Sequence, residues 1–124
     1  MRGCMDRQFT ILLAEDNLSI RAVVAHILRE HGFNVLVAEG GDEAIQLLVA
    51  HQVDLLLTDV VTPGTNGFDL ALHAKSIRPN LRLLYMTGYY YDGAADKDIL
   101  YGRVIHKPFG AGQLLAEIVQ ALAG

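Results

Sequence analysis

Cysteine is nearly missing from this chain. Cys4 stands alone, so no internal disulfide can form and nothing points to an oxidising compartment. Charge is scarce as well: Asp, Glu, Lys and Arg make up 19% of the residues, against about 25% in an average soluble domain. Basic charge is in deficit, with a formal net charge of -4. That argues against direct nucleic-acid binding, which normally needs a basic face. No apolar run reaches the roughly 18 residues of a membrane span. The N-terminal residues also lack the pattern of a secretory signal. Internal repeats, low-complexity tracts and linkers are missing too. These absences point to a cytoplasmic protein with neither nucleic acid nor membrane as a direct partner. At 124 residues the chain has the size of one domain, read as a polar tail over residues 1–8 and a domain over residues 9–124.

What the chain does have is a high hydrophobic fraction, 52%, arranged in short runs that alternate with helical patterns. The runs are Phe9–Ala14, Val35–Ala38, Val53–Thr58, Leu81–Met86 and Val104–Ile105. Short continuous apolar runs bounded by turn residues read as buried strands of a parallel sheet. After the first run, Asn17 or Ser19 is placed to cap a helix bearing Ile20, Val24, Ile27 and Leu28, which ends at His31-Gly32. Gly40-Gly41-Asp42 open a second helix, with Ala44, Ile45, Leu47 and Leu48 as its stripe. Asn66 is placed to cap a third, carrying Phe68, Leu70, Ala71 and Ala74 and stopping before Pro79. The stretch after Thr87 allows at most a short helix around Ala94–Leu100, since Gly and Tyr are poor helix formers. A closing helix puts Leu114, Leu115, Ile118, Val119 and Leu122 on one side. Five strand–helix units predict an α/β fold, a doubly wound parallel sheet with helices on both faces.

The polar residues that end these runs carry the chemistry. Glu15-Asp16, Asp59, Thr87 and Lys107-Pro108 each follow an apolar run. Open parallel sheets bind ligands beyond the carboxyl ends of their strands. Three carboxylates, a hydroxyl and an ammonium are therefore expected to share one crevice. Mg²⁺ prefers six oxygen ligands in near-octahedral geometry and keeps several waters. Neighbouring side chains on an extended backbone point opposite ways. One of Glu15 and Asp16 is thus expected to bind directly and the other through water, with Asp59 sharing the ion. A carboxylate oxygen of Asp59 is also a candidate nucleophile toward phosphorus, giving an aspartyl phosphate. Mg²⁺ and Lys107 would neutralise the phosphoryl oxygens while Thr87 donates a hydrogen bond.

Each feature has a plainer reading. Acidic pairs at strand ends often just start helices, and a lone Lys-Pro is usually a surface turn; it is their register together that favours a site. The histidines at 26, 31, 51, 73 and 106 lack the paired spacing of a metal helix and read as surface or helix-end residues. The run Tyr89–Tyr91 reads as a partly exposed loop. Gly40-Gly41 lacks the glycine spacing and lysine of a phosphate loop.

The set Glu15-Asp16, Asp59 with Pro63-Gly64 and Gly67 behind it, Thr87, and Lys107-Pro108-Phe109 resembles the receiver domain of bacterial two-component response regulators. The likeness runs from about Phe9 to Leu122. It implies a flavodoxin-like five-stranded sheet of order 2-1-3-4-5. It also implies that Asp59 accepts a phosphoryl group from the phosphohistidine of a histidine kinase or phosphotransfer protein. Glu15, Asp16, Asp59 and the backbone carbonyl of Val61 would bind Mg²⁺, Thr87 and Lys107 would contact the phosphoryl group, and the Lys107–Pro108 peptide would be cis. Such a domain assists only its own phosphorylation and dephosphorylation, so it is not otherwise an enzyme. Its signal would leave by contacts with a downstream protein or phosphatase. The wording of Thr58–Gly64 and Tyr85–Tyr89 looks especially like receivers attached to hybrid histidine kinases. Three positions depart from the pattern. Val104 stands where a rotating Tyr or Phe is usual, Thr62 where Met is common, and Gly88 where Ala is usual. The switch segment is read as Thr87, Gly88, Tyr89 and Val104, with the response expected as ordering of the Gly88–Gly102 stretch.

Two other functions compete. A Mg²⁺-dependent phosphatase of the haloacid dehalogenase type also uses an aspartate after an apolar strand, but it needs a second acid two residues on, where this chain has Val61. A receiver-like interaction module that takes no phosphate is argued against by Asp59, Thr87 and Lys107.

Overall fold

A computed structural model of the chain describes residues 8–60, 67–88 and 102–123. Its strands are β1 (Thr10–Ala14), β2 (Asn34–Ala38), β3 (Leu55–Asp59), β4 (Arg82–Thr87) and β5 (Gly102–His106). All pairings are parallel, in the order β2-β1-β3-β4-β5. The helices among the described residues are α1 (Leu18–Glu30), α2 (Gly41–Ala50), α3 (Gly67–Ile77) and α4 (Ala111–Ala123). This is the doubly wound sheet that the alternating runs predict. No helix among the described residues is long and apolar enough to cross a membrane.

Alternation along the strands divides the core in two. Leu12, Ala14, Leu56, Leu83 and Tyr85 pack with Ala44 and Leu48 of α2 and Leu70, Ala71 and Ala74 of α3. Ile11, Leu13, Leu55, Leu57, Leu84, Met86 and Ile105 pack with Val24, Ala25 and Leu28 of α1 and Leu114 and Ile118 of α4. β3 is buried along its whole length. With apolar partners on both faces, a strand reads as a continuous run rather than an alternating one.

Of the two possible caps for α1, Asn17 is the one used: its Oδ1 accepts from the Ile20 N–H at 3.0 Å. The helix ends as expected at Gly32, whose φ of +90° suits a residue without Cβ. The Gly32 N–H donates to Arg29 O and the Phe33 N–H to Leu28 O, satisfying two terminal carbonyls.

Several boundaries differ from the sequence reading. Asp59 and Thr87 are the last residues of β3 and β4 rather than the first beyond them. β5 starts at Gly102, two residues early. A Cβ there would lie 2.6 Å from the Leu83 carbonyl oxygen, so glycine is what lets the strand pair this closely. Val119 does not belong to the buried stripe of the last helix: it is 60% exposed, while Leu114 and Ile118 are fully buried. The cap at Asn66 and the short helix around Ala94–Leu100 lie outside the described residues.

Candidate functional site

Among the described residues the buried polar ones are Glu15, Thr58, Asp59 and Thr87, and all sit at the carboxyl ends of the inner strands. Buried polar side chains need an explanation, because desolvating them is unfavourable without partners. Register brings them together. Ala14 pairs with Thr58, and Asp59 pairs with Met86. Glu15 therefore emerges beside Asp59, and Thr87 comes one residue later on the next strand. β5 ends with His106 opposite Thr87, which places Lys107 at the same rim.

The Lys107 ammonium bridges the carboxylates. Its Nζ donates to Asp59 Oδ2 at 2.6 Å and to Glu15 Oε1 at 2.8 Å. To do so it reaches from beyond β5 past the end of β4, across strands spaced roughly 4.8 Å apart. The Lys107–Pro108 peptide is cis, as the resemblance implied. Burial works to lower the Lys107 pKa, but its bonds to Asp59 and Glu15 outweigh that and raise it, so the ammonium stays charged.

Glu15 is 1% exposed, and protein groups engage each of its polar functions. Its N–H donates to Ala38 O and its carbonyl accepts from Arg21 Nη1. Oε1 accepts from Lys107 and Oε2 from the Asn17 N–H. Burial pushes its carboxyl pKa above the usual range. The bonds from Lys107 and Asn17 oppose that shift, and the charge of Asp59 adds to it. Asp16 is exposed.

Carboxylate oxygens of Glu15, Asp16 and Asp59 all lie within 4.8 Å of one another. A bend at Asp16 ends the extended backbone, so the two neighbouring carboxylates converge where a continuing strand would have turned them apart. Three hard oxygen donors crowded at an edge open to water suit a small divalent cation such as Mg²⁺. Thr87 is fully buried, and its carbonyl accepts from the Lys107 N–H at 2.7 Å. Gly67, the first residue of α3, lies against the site from behind: its N–H donates to Val60 O, and a Cβ on it would come within 2.5 Å of Asp59 O.

The remaining site expectations divide. Val61, Thr62, Pro63-Gly64 and Tyr89–Tyr91 lie outside the described residues, as does most of the Gly88–Gly102 stretch. Gly88 is exposed, and among the described residues nothing beyond its chain neighbours would meet a Cβ added to it. Val104 is half-buried opposite Tyr85, whose ring centroid is 5.2 Å from that of Phe68. All five histidines are exposed. Nothing in the sequence marks the helix residue Arg21 as folding back onto the Glu15 carbonyl just past β1. Nor does it mark the apolar groove of about 320 Å³ beside Lys107, lined by Ser19, Ile20, Val23, Val24, Lys107, Pro108 and Phe109.

A family model for the response regulator receiver domain matches residues 11–119. The chain belongs to that family. A phosphoacceptor role fits that family, and receivers work with histidine kinases or phosphotransfer proteins. Among curated relatives, the response regulator receiver protein CpdR of Brucella abortus is 34% identical over 117 residues, covering 90% of this chain and 95% of that protein. The DNA-binding transcriptional regulator NtrC of Azospirillum brasilense is also 34% identical, over 91% of this chain but only 24% of that regulator. This receiver thus spans about a quarter of that longer relative. The crystal structure of the receiver domain from the hybrid histidine kinase CckA superposes with a TM-score of 0.79 at 29% identity, covering 91% of this chain and 98% of that one. The likeness to receivers of hybrid kinases is therefore present in both sequence and structure.

Proposed function

We propose that residues 9–124 form a receiver in which Asp59 accepts the phosphoryl group and Glu15, Asp16, Thr87 and Lys107 make the transfer possible. A carboxylate oxygen of Asp59 attacks phosphorus as the P–N bond to the donor imidazole breaks; the bonding pair stays with that nitrogen, which takes up a proton. The observation that carries this reading is Lys107 Nζ, held 2.6 Å from Asp59 Oδ2 by a main-chain tie to Thr87. An ammonium fixed there meets the oxygens of an incoming phosphoryl group, and the Thr87 hydroxyl donates to another of them.

Mg²⁺, when bound, supplies positive charge to the phosphoryl oxygens. Asp16, exposed and with a carboxylate oxygen within 4.8 Å of one on Asp59, would be the direct ligand of its pair. Glu15, whose oxygens are already engaged, would act through water. The resemblance to receivers would add the carbonyl of Val61, which lies outside the described residues. The phosphodonor is a histidine kinase or phosphotransfer protein, and the apolar groove beside Lys107 supports that choice: a protein carrying its phosphohistidine to Asp59 would cover it. The domain works in the cytoplasm and has no catalytic turnover beyond its own phosphorylation and dephosphorylation.

The test is incubation with a small phosphodonor and Mg²⁺, read by intact mass. Wild type should gain about one phosphate, the stoichiometry of a single aspartyl nucleophile. Asp59→Asn should gain none, and Asp16→Asn should bind Mg²⁺ weakly. Phosphate appearing on another residue of Asp59→Asn at the wild-type rate would sink the assignment. An unchanged wild-type mass would leave only the bare interaction module, and steady turnover of a phosphomonoester would point to the phosphatase.

A further inference from the structure

Two arginines of α1 reach out of the helix to strand carbonyls. Arg29 Nη2 donates to Val35 O on β2 at 3.0 Å, and Arg21 Nη1 donates to Glu15 O just past β1, also at 3.0 Å. The bonds are alike but their surroundings are not. Val35 lies within β2, and neither it nor Arg29 touches the crevice. The Glu15 carbonyl belongs to the peptide that joins Glu15 to Asp16, the two acids of the carboxylate cluster. The orientation of that peptide plane sets the direction in which the Asp16 side chain leaves the backbone. Upstream, the chain is held by the Glu15 N–H donating to Ala38 O. Downstream, the Asn17 N–H bonds the Glu15 carboxylate. The carbonyl between them is held by Arg21.

We propose that Arg21 is a positioning residue for the divalent-cation site, fixing the Glu15–Asp16 peptide and through it the aim of the Asp16 carboxylate. This rests on the reading of Glu15, Asp16 and Asp59 as that site. Two consequences of Arg21 oppose each other. Its positive charge beside the cluster should repel a cation, whereas its hydrogen bond should hold a ligand in place. Arg21 is half-buried rather than fully enclosed, so solvent screening weakens the repulsion. Outer-shell partners of metal ligands, by contrast, commonly change affinity by roughly 10–100-fold. Positioning is the larger effect.

The sign of the change decides the matter. Mg²⁺ would be titrated calorimetrically into the full chain as wild type, Arg21→Met, Arg21→Lys and Arg29→Met, with melting curves recorded without Mg²⁺. Arg21→Met should weaken Mg²⁺ binding by about tenfold, the low end for an outer-shell partner. Arg29→Met should lose similar stability and leave the Kd unchanged. Arg21→Lys keeps the charge but replaces the Nη1 donor that reaches the Glu15 carbonyl with a shorter, flexible ammonium, so its Kd should also rise, and it decides the question should the Met variant fail to fold. Unchanged or tighter binding in the Arg21 variants overturns the proposal, as does equal weakening in Arg29→Met. If wild type itself binds no Mg²⁺, the functional reading fails first and this inference goes with it.

Discussion

The main-chain N–H of Lys107 donates to the carbonyl oxygen of Thr87 at 2.7 Å, so the two residues assigned to the phosphoryl group are joined backbone to backbone. With its backbone tied at the end of β4, the Lys107 side chain extends over Asp59 and Glu15. Its ammonium occupies the place where two buried carboxylates meet.

Lys107→Met tests how far that ammonium supports the fold. Removing it leaves Glu15 and Asp59 buried side by side with no cation between them. Breaking a fully buried ion pair costs about 3–5 kcal/mol; with Lys107 17% exposed, a loss of roughly 2 kcal/mol is expected here. For a domain of this size that lowers Tm by about 8 °C. Added Mg²⁺ should recover more stability in the variant than in wild type, because it restores positive charge to the cluster. Melting curves with and without Mg²⁺ check both parts. An unchanged Tm and an equal Mg²⁺ response would show that the bridge contributes nothing.

Gly67 and Gly88 flank the crevice and should respond oppositely to alanine. At Gly67 the new Cβ would lie 2.5 Å from Asp59 O and 2.9 Å from Val60 Cα, so backbone has to move. Overpacking of this kind destabilises by about 1–3 kcal/mol, and here it also displaces the nucleophile, so phosphorylation should slow. At Gly88 an added Cβ would have no atom of the described residues, its chain neighbours aside, within 4 Å. Gly88→Ala should stabilise by roughly 0.4–1 kcal/mol through the unfolded chain. Denaturant melts of the two variants are sufficient, and destabilisation by Gly88→Ala would contradict the open space around it.

The sequence made the sheet legible because its inner strands are continuous apolar runs, and Leu55–Leu57 could be nothing else in so short a stretch. The convergence of Asp59, Thr87 and Lys107 followed from strand ends alone. Three things were hidden for physical reasons. The burial of Glu15 is one, because the lysine that permits it is 92 residues away. Val119 falls on the apolar arc by spacing, yet it is 60% exposed, because spacing alone does not set how wide a helix face is covered. The convergence of the adjacent carboxylates is the third: the groups that bond the Glu15 backbone on either side, Arg21 and Ala38, come from two other elements.

Val23→Glu separates the phosphodonor surface from the chemistry. Val23 is 58% exposed in the apolar groove beside Lys107, so the change should alter stability by less than about 0.5 kcal/mol. Transfer from a phosphorylated kinase or phosphotransfer protein should fall on the order of tenfold, the loss of one good interface contact. Labelling by a small phosphodonor, which needs no docking, should be unchanged. Equal loss with both donors would mean that the substitution disturbs the site rather than a partner surface.

The lifetime of the aspartyl phosphate should depend on Val61, two residues past Asp59. Hydrolysis needs water in line with the phosphorus–oxygen bond, and a side chain that holds that water by a hydrogen bond speeds the step. The Val61 side chain offers no donor or acceptor, and Tyr89, two past Thr87, is bulky. Slow self-dephosphorylation is therefore expected unless a phosphatase supplies the missing group. Val61→Asn adds an amide that orients water without acting as a base. The decay should accelerate on the order of tenfold, below the roughly 10²–10⁴ of a full general base. Following the loss of phosphate by intact mass, after the donor has been removed, measures this directly. If the rate in Val61→Asn matches wild type, water access is not what limits the lifetime, and the control must lie in how tightly Lys107 and Thr87 hold the phosphoryl group.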